Sequence, residues 1–289
     1  MKNFKDKVAV ITGAGSGIGF ALAQRCAKEG MKVVLADIEE KFLKRAQRKM
    51  KRIEADSITV LTDVSKVSNI ENLAKRTVDT YGKVNLLVNN AGIGISKYTW
   101  EYTLKDWQWQ LGVNLWGVIH GVRIFTPIML KQGDECQIVN VASMEGLASG
   151  SGPGGAIYGV SKHGIISLTE TLRTDLELKG VENLKVSVVC PGFVNTRIIL
   201  GDDHRPKEFE NASEEQVESG RGESYMTKFG LSLDEIFKET KLMSPEEAVD
   251  IIFEDIKKEK FYILTHKDDI MKRLVKERFD EILEEFNKK

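Results

Sequence analysis

Seven short apolar runs, rich in valine and isoleucine, alternate along the chain with longer segments of helical periodicity. Their hydrophobicity is continuous rather than alternating, which is typical of parallel strands covered on both faces by helices. The pattern predicts an α/β fold of the Rossmann type, a doubly wound parallel sheet of about seven strands in three α/β/α layers. The runs cover residues 8–12, 32–37, 58–63, 86–91, 137–142, 185–190 and 261–264.

Residues 1–265 are predicted to form a single domain, because no proline-rich linker or shift in composition divides them. One segment inside this range, residues 197–243, is long, polar and rich in Gly, Glu and Ser. Connections of this length in a compact domain are often functional, so we predict a substrate lid there.

Residues 266–289 are predicted to form an amphipathic helical tail. Docking of its apolar face on the core of the chain or on a sister subunit explains the pattern better than a membrane or calmodulin role. The apolar face consists of Ile270, Met271, Leu274, Val275, Phe279, Ile282, Leu283 and Phe286.

The charged residues nearly balance, with 42 Lys and Arg against 43 Asp and Glu. This balance favours a small-molecule partner over nucleic acid or an anionic membrane. The apolar stretch 113–130 is interrupted by Asn114, His120 and Arg123, so we expect a buried helix there rather than a membrane span.

Three well-separated cysteines, each among apolar neighbours, predict buried thiols in a reducing compartment. They are Cys26, Cys136 and Cys190. Because the N-terminal apolar run is too short for a signal peptide, we expect a cytoplasmic protein. The four histidines are scattered, without Cys or carboxylate residues at metal-ligand spacing, and no metal is expected.

A glycine-rich turn joins the first predicted strand to the first helix. Residues 12–19 read Thr-Gly-x-x-x-Gly-x-Gly, although the stricter Gly-x-Gly-x-x-Gly spacing is absent. Glycines at this place let the backbone approach a pyrophosphate and direct N–H groups and the helix dipole at its charge. The turn predicts a dinucleotide site.

Asp37 ends the next predicted strand, about 20 residues beyond the turn, where a carboxylate accepts hydrogen bonds from the adenosine ribose. A carboxylate there repels a 2′-phosphate, so NAD is predicted rather than NADP. The alternative for Asp37 alone is that it caps a turn. Asp63-Val64 and residues 89–92, Asn-Asn-Ala-Gly, follow two further strands at the same carboxyl edge, where such sheets bind ligands.

With these residues the chain resembles the short-chain dehydrogenases/reductases, over about residues 7–196. The resemblance rests on the glycine turn, Asp63-Val64, the Asn-Asn-Ala-Gly run, Asn114, Ser143, Tyr158-x-x-x-Lys162, and Pro191-Gly192 followed by Thr196, all in family order. It implies a catalytic set of Ser143, Tyr158, Lys162 and Asn114. It implies cofactor contacts at Gly13, Ser16, Gly17, Ile18, Gly19, Asp37, Asp63, Val64, Asn90, Ala91, Gly92, Tyr158, Lys162, Pro191, Gly192 and Thr196.

The residue chemistry agrees with the resemblance. Tyrosine titrates near ~10, and a cation within ~4–6 Å lowers that pKa by ~1–3 units. Lys162 shares a helix face with Tyr158, so we predict that it lowers the pKa of Tyr158, which then acts as general acid and base beside a hydride transfer. Ser143 is expected to hydrogen-bond the substrate oxygen. The resemblance adds that Lys162 grips the nicotinamide ribose and that Asn114 helps to hold a water that relays protons.

These features predict an NAD(H)-dependent oxidoreductase that interconverts a secondary alcohol and a ketone. The substrate is expected to be lipophilic or neutral, because the segments near the site are mostly apolar and carry no arginine cluster. Two alternatives stay open: an epimerase or dehydratase of the same fold, and a regulatory protein that binds NAD(H) without turnover. The resemblance implies a homodimer or homotetramer, in which the dimer forms through the helices around 104–131 and 157–179.

Overall fold

The computed structural model describes residues 1, 3–148, 155–198, 205–210 and 242–288. Within these ranges seven strands form one parallel sheet in the order β3-β2-β1-β4-β5-β6-β7. The sheet confirms the predicted fold, and each predicted run differs from its strand by at most two residues at either end. The strands are β1 Val8–Thr12, β2 Lys32–Asp37, β3 Ser57–Leu61, β4 Leu86–Asn89, β5 Cys136–Val141, β6 Leu184–Cys190 and β7 Tyr262–Leu264.

Helices cover both faces of the sheet and complete the three layers. A π-helical turn, Gly112–Trp116, joins α4 to α5 in one continuous rod. The helices of the described ranges are α1 Gly17–Lys28, α2 Glu40–Arg52, α3 Val67–Tyr81, α4 Leu104–Leu111, α5 Gly117–Gln132, α6 Ala156–Leu178, α7 Pro245–Lys257 and α8 Asp269–Asn287.

Two apolar clusters sandwich the sheet. Val8 and Val10 of β1 belong to the cluster beneath α3, α5 and α6. Ala9 and Ile11 belong to the cluster beneath α1, α2 and α7. Because successive side chains of a strand point to opposite faces, a strand that serves both clusters must be apolar throughout. This double burial explains the continuous apolar runs.

Local signals set the helix ends as the sequence indicates. Ser244 caps α7 by accepting a hydrogen bond from the Glu247 N–H at 3.1 Å, and the Glu247 carboxylate accepts one from the Ser244 N–H at 2.8 Å. Pro245 occupies the first helical position, where its missing N–H costs nothing. Gly82 ends α3 in the left-handed conformation, with φ of 76°.

The predicted tail forms α8, and its first half packs on the chain's own core. Met271 and Leu274 are buried in the cluster beneath α6. Further along, Phe279 and Phe286 are exposed. Arg278 donates a hydrogen bond to the Leu147 carbonyl oxygen at 3.2 Å, so the helix also contacts the segment that follows β5.

The rod formed by α4 and α5 differs from the expectation of a buried helix. Over the described part of the chain, one helical stretch, Leu104–Gln132, is long and apolar enough to cross a membrane by length and composition. Only 33% of its most apolar window is buried. One face, including Phe125 and Met129, packs on the sheet, whereas Trp116 on another face is 53% exposed. The prediction of a buried helix was wrong for one face, because an apolar face on the surface and a buried apolar face have the same amino-acid composition.

The predicted lid lies mostly outside the described residues, which include only 197–198, 205–210 and 242–243 of it. Its two ends lie side by side. Val194 and Met243 form a parallel bridge, and the Asn195 N–H donates to the Met243 carbonyl oxygen at 2.9 Å. These contacts hold the chain after β6 against the chain before α7.

Candidate active site

The glycine turn between β1 and α1 has no room for side chains. Gly13 and Gly17 have φ of +65° and +52°, a region that glycine adopts without strain. A Cβ atom on Gly19 would lie 2.3 Å from the Gly13 carbonyl oxygen. Ser16 precedes α1 without capping it by its side chain, so the first-turn N–H groups are left to a ligand or solvent. The turn and the positive end of the helix dipole fit a dinucleotide pyrophosphate.

Thr12, at the end of β1, ties the glycine turn to the segment after β4. Its hydroxyl accepts hydrogen bonds from the backbone N–H groups of Asn90 at 2.9 Å and Ala91 at 3.1 Å. The Asn90 side chain donates to the Thr12 carbonyl oxygen at 2.9 Å. Thr12 was missing from the predicted site set, although it opens the Thr-Gly-x-x-x-Gly-x-Gly pattern. Asn90 therefore both stabilises the glycine turn and lines the cleft.

Asp37 caps a turn, which is the alternative considered for it, and also contacts the glycine turn. One carboxylate oxygen accepts a hydrogen bond from the Glu39 N–H at 2.9 Å, which closes a turn ahead of α2. The other oxygen accepts from the Gly15 N–H at 2.9 Å, which holds the carboxylate against the glycine turn. Burial raises the pKa of Asp37, and the N–H groups of Glu39 and Gly15 oppose that rise. The carboxylate lines the cleft at the position predicted for the adenosine ribose.

Residues after β3 and β6 form the remaining walls of the dinucleotide half. Asp63 Oδ1 accepts hydrogen bonds from the backbone N–H and the hydroxyl of Ser65, at 3.0 and 2.6 Å. The Gly192 N–H lies 3.2 Å from His266 Nδ1 and donates to it. A Cβ atom on Gly17 would lie 3.3 Å from Thr196 Cγ2, so the segment after β6 touches the glycine turn.

Ser143, Tyr158 and Lys162 line the same cleft. Ser143 follows β5, and Tyr158 and Lys162 lie in the first two turns of α6. Tyr158 is hydrogen-bonded to the side chain of Ser143. Lys162 is 2% exposed, and its Nζ donates to the Val141 carbonyl oxygen at 3.0 Å. Two hydroxyl groups beside a buried lysine are suited to moving a proton on or off a substrate oxygen.

The pKa of Tyr158 contradicts the sequence-based expectation that Lys162 lowers it. Burial raises the pKa of Tyr158 to about 12, against the hydrogen bond from Ser143, and the charge of Glu145 adds to the rise. Burial also lowers the pKa of Lys162 to about 8. The spacing of four residues correctly places the two side chains together. The rise in the pKa of Tyr158 could not be predicted from this spacing, because desolvation depends on the whole surrounding fold.

Asn114 lies in the π-helical turn, behind the cleft lining. Its side-chain oxygen accepts from the Ile93 N–H at 2.9 Å, and its nitrogen donates to the Ile93 carbonyl oxygen at 2.9 Å. The nitrogen also lies 3.3 Å from Ser161 Oγ, which itself donates to the Tyr158 carbonyl oxygen at 2.7 Å. π-helical turns often occur at functional sites. Here the turn links the loop after β4 to the start of α6.

All predicted site residues except Gly19 and Asn114 line one cleft at the carboxyl edge of the sheet. Those two lie directly behind it. The sequence reasoning missed several wall residues, because nothing in their local pattern marks them. The missed residues are Phe42, Trp109, Val113, Arg197, Pro206 and Phe209. In the described part of the chain, no group of three or more His, Cys, Asp or Glu residues is arranged to hold a metal ion.

A profile of the short chain dehydrogenase family matches residues 7–204, which is most of the chain. The chain belongs to the short-chain dehydrogenase family. It is therefore an oxidoreductase by family, and the family uses nicotinamide dinucleotides as cofactors and small molecules as substrates. The matched range includes the glycine turn, Ser143, Tyr158 and Lys162.

The similarity to known proteins extends over nearly the whole chain of this short-chain dehydrogenase. A solved short chain dehydrogenase/reductase from Burkholderia phymatum in complex with NAD is 40% identical, with a TM-score of 0.88 over 99% of this chain and 97% of that one. A CLA biosynthesis dehydrogenase/reductase from Lactiplantibacillus plantarum is 32% identical over 95% of both chains. A 1-deoxy-11-beta-hydroxypentalenate dehydrogenase from Streptomyces exfoliatus is 34% identical over 69% of this chain and 71% of its own.

Proposed function

We propose that this short-chain dehydrogenase interconverts a lipophilic or neutral secondary alcohol and its ketone with NAD(H). The observation that carries the proposal is that Ser143, Tyr158 and Lys162 line the same cleft as the glycine turn. Proton transfer and hydride transfer would then both take place at the carboxyl edge of the sheet.

NAD, when bound, supplies the hydride acceptor, and NADH the hydride donor, for the carbinol carbon of the substrate. Gly13, Ser16, Gly17 and Ile18 would hold its pyrophosphate, and Asp37 its adenosine ribose. Support for NAD over NADP comes from the carboxylate of Asp37 and from the NAD complex of the Burkholderia phymatum relative. The remaining predicted contacts, from the segments after β3, β4 and β6, would enclose the dinucleotide.

The proton moves through residues of this chain. In ketone reduction, the Ser143 hydroxyl donates a hydrogen bond to the substrate oxygen, and the Tyr158 hydroxyl gives that oxygen its proton. In alcohol oxidation, the Tyr158 phenolate removes the proton from the alcohol. The Lys162 ammonium nitrogen, 5.3 Å from the centre of the Tyr158 ring, would supply a positive charge beside the phenolate. Asn114 is hydrogen-bonded to Ile93 and Ser161, and it therefore holds the loop after β4 against α6.

Apolar walls support a lipophilic substrate. Ile93, Trp109, Val113, Ile198 and Phe209 line the cleft beyond Ser143 and Tyr158. The names of two relatives, the CLA biosynthesis dehydrogenase/reductase and the pentalenate dehydrogenase, are consistent with oxidoreduction of hydrocarbon-rich molecules.

We also propose a homo-oligomer, formed through α4, α5 and α6, and a cytoplasmic location, which the three buried free thiols support.

The test is cofactor turnover with a panel of apolar, acidic and phosphorylated alcohols and ketones, followed as absorbance of NADH. We expect apolar ketones to oxidise NADH and Tyr158→Phe to lose about 100-fold or more in rate. Tyr81→Phe, which removes an exposed hydroxyl bonded to Asp56, is the matched control and should keep full activity. Undiminished turnover in Tyr158→Phe removes the assigned proton donor. Binding of NADH without turnover of any substrate would instead favour a regulatory protein.

A further inference from the structure

One buried carboxylate lies beside the apolar end of the cleft. Asp106, in the first turn of α4, is fully buried. It belongs to a capping box, because its N–H donates to the Thr103 hydroxyl at 3.2 Å and its Oδ2 accepts from the Thr103 N–H at 2.9 Å. A buried carboxylate needs cationic partners, and Asp106 has two that come from distant parts of the chain.

The first partner is Lys97, in the loop after β4. Its Nζ lies 2.8 Å from Asp106 Oδ2, and its side chain is 18% exposed. The same loop is tied down at Ile95, whose carbonyl oxygen accepts a hydrogen bond from the Tyr102 hydroxyl at 3.0 Å. Ile93, at the start of this loop, lines the cleft. The Lys97 arm thus fixes one wall of the apolar end.

The second partner is Arg205, in the segment between β6 and α7. Its Nη1 lies 2.7 Å from Asp106 Oδ1, with 11% of the side chain exposed. The guanidinium also lies 4.6 Å from the ring centre of Trp109, a cleft residue one helical turn beyond Asp106. Pro206 and Phe209, next to Arg205, line the cleft as well. The Arg205 arm fixes a second part of the wall, residues 206–209.

The two walls enclose an apolar cluster that reaches the catalytic helix. Ile95, Trp109 and Ile157 are buried together, and Phe209 packs against them. Ile157 directly precedes Tyr158. A displacement of either wall therefore changes the space in which a substrate meets Tyr158.

We infer that Asp106 is a positioning residue for substrate binding: through Lys97 and Arg205, one buried carboxylate sets the distance between the two walls of the apolar end of the cleft. The inference rests on the proposed function, which identifies this end as the substrate side. Asp106 touches neither the predicted dinucleotide contacts nor the reacting atoms. Its removal should affect the substrate and spare the cofactor.

Two single-arm variants and one common variant test the inference. Lys97→Met and Arg205→Met each release one wall, and Asp106→Asn removes the charge that both walls share. We expect each to raise KM for the preferred ketone about 10-fold to 100-fold, because small misplacements of a binding wall carry such costs. The dissociation constant for NADH should stay unchanged. Arg205→Lys, which keeps the charge, should recover part of the loss.

The control is Lys44→Met, which breaks the pair between Lys44 and Glu40 on α2, away from the cleft. That pair is 2.8 Å long with both side chains 67% exposed, and exposed pairs contribute little. It should leave KM unchanged. An unchanged KM in both Lys97→Met and Arg205→Met overturns the inference, and so does a parallel loss of NADH binding and thermal stability, which marks a purely structural role.

Hydrogen exchange gives a readout that does not depend on turnover. Amides of residues 93–98 should exchange at least about 10-fold faster in Lys97→Met, those of 205–210 in Arg205→Met, and both sets in Asp106→Asn. Unchanged exchange in Asp106→Asn overturns the inference even where the wild type turns over no tested substrate. If the variants show this exchange pattern but the wild-type protein turns over no substrate, the proposed function is refuted and the inference stands.

Discussion

The ammonium nitrogen of Lys162 lies 5.3 Å from the centre of the Tyr158 ring. With pKa values of about 8 for Lys162 and about 12 for Tyr158, the free protein at neutral pH holds a charged lysine and a neutral phenol. A neutral phenol is the form that donates a proton to a ketone. The resting site is therefore ready for reduction.

The pH dependence of ketone reduction follows from these two pKa values. The pKa of Lys162 is lowered to about 8, so its cation is present below that pH and disappears above it. We expect kcat/KM for the ketone to be flat near neutral pH and to fall as pH rises through about 8. Lys162→Arg, whose side chain stays charged, should move the fall to higher pH. A fall at the same pH in this variant would assign it to another group.

Cofactor choice should depend on the charge of Asp37 more than on its hydrogen bonds. Asp37→Asn keeps an oxygen acceptor for a backbone N–H but loses the negative charge that repels a 2′-phosphate. We expect the ratio of kcat/KM with NADPH to that with NADH to rise about 10-fold to 100-fold. Glu39→Gln, a neutralised neighbour in the same cleft, should change the ratio less. A wild type that prefers NADPH contradicts the argument.

The glycine turn should tolerate no methyl group at Gly19. A Cβ there would lie 2.3 Å from the Gly13 carbonyl oxygen and 2.5 Å from Asn90 Nδ2. We expect Gly19→Ala to lose about 1–3 kcal/mol of unfolding free energy and to bind NADH more weakly. Gly112→Ala is the control, because its Cβ would meet Ser65 at an ordinary 3.4 Å. Urea unfolding and NADH fluorescence titration check both variants, and equal behaviour would show that the turn adapts.

The exposed apolar face of α4, α5 and α6 should form the subunit interface. Trp116 is 53% exposed and Val160 50% exposed, and a contiguous apolar patch formed by such side chains would mark a protein–protein interface. We expect light scattering to give a dimer or tetramer, and Trp116→Glu or Val160→Glu to reduce the mass. Phe286→Glu, on the exposed end of α8, tests the other apolar face. Dissociation by that variant alone would place the interface at α8.

The strands and the dinucleotide half of the site were predictable from the sequence because their signals are local. A strand buried on both faces must be apolar throughout, and the turn near Gly13 needs glycine for steric reasons. Tyr158 and Lys162 lie four residues apart on one helix, so their proximity was readable too. The family pattern then identified Ser143 beside them.

The apolar part of the cleft was not predictable, because its contacts join separate parts of the chain. Asp106 meets Lys97 nine residues away but Arg205 about a hundred residues away, and no periodicity links the three. Trp109 and Phe209 likewise become neighbours only in the folded chain. The raised pKa of Tyr158 has the same origin, since burial is a property of the whole fold.

The bridge between Val194 and Met243 sets where α7 begins relative to β6. Because these two residues pair, the chain just after β6 and the chain just before α7 run side by side. A change in the number of residues between them alters the loop-closure entropy only slightly. We therefore expect the sheet and α7 to keep their places in variants whose chain between Val194 and Met243 is shorter or longer.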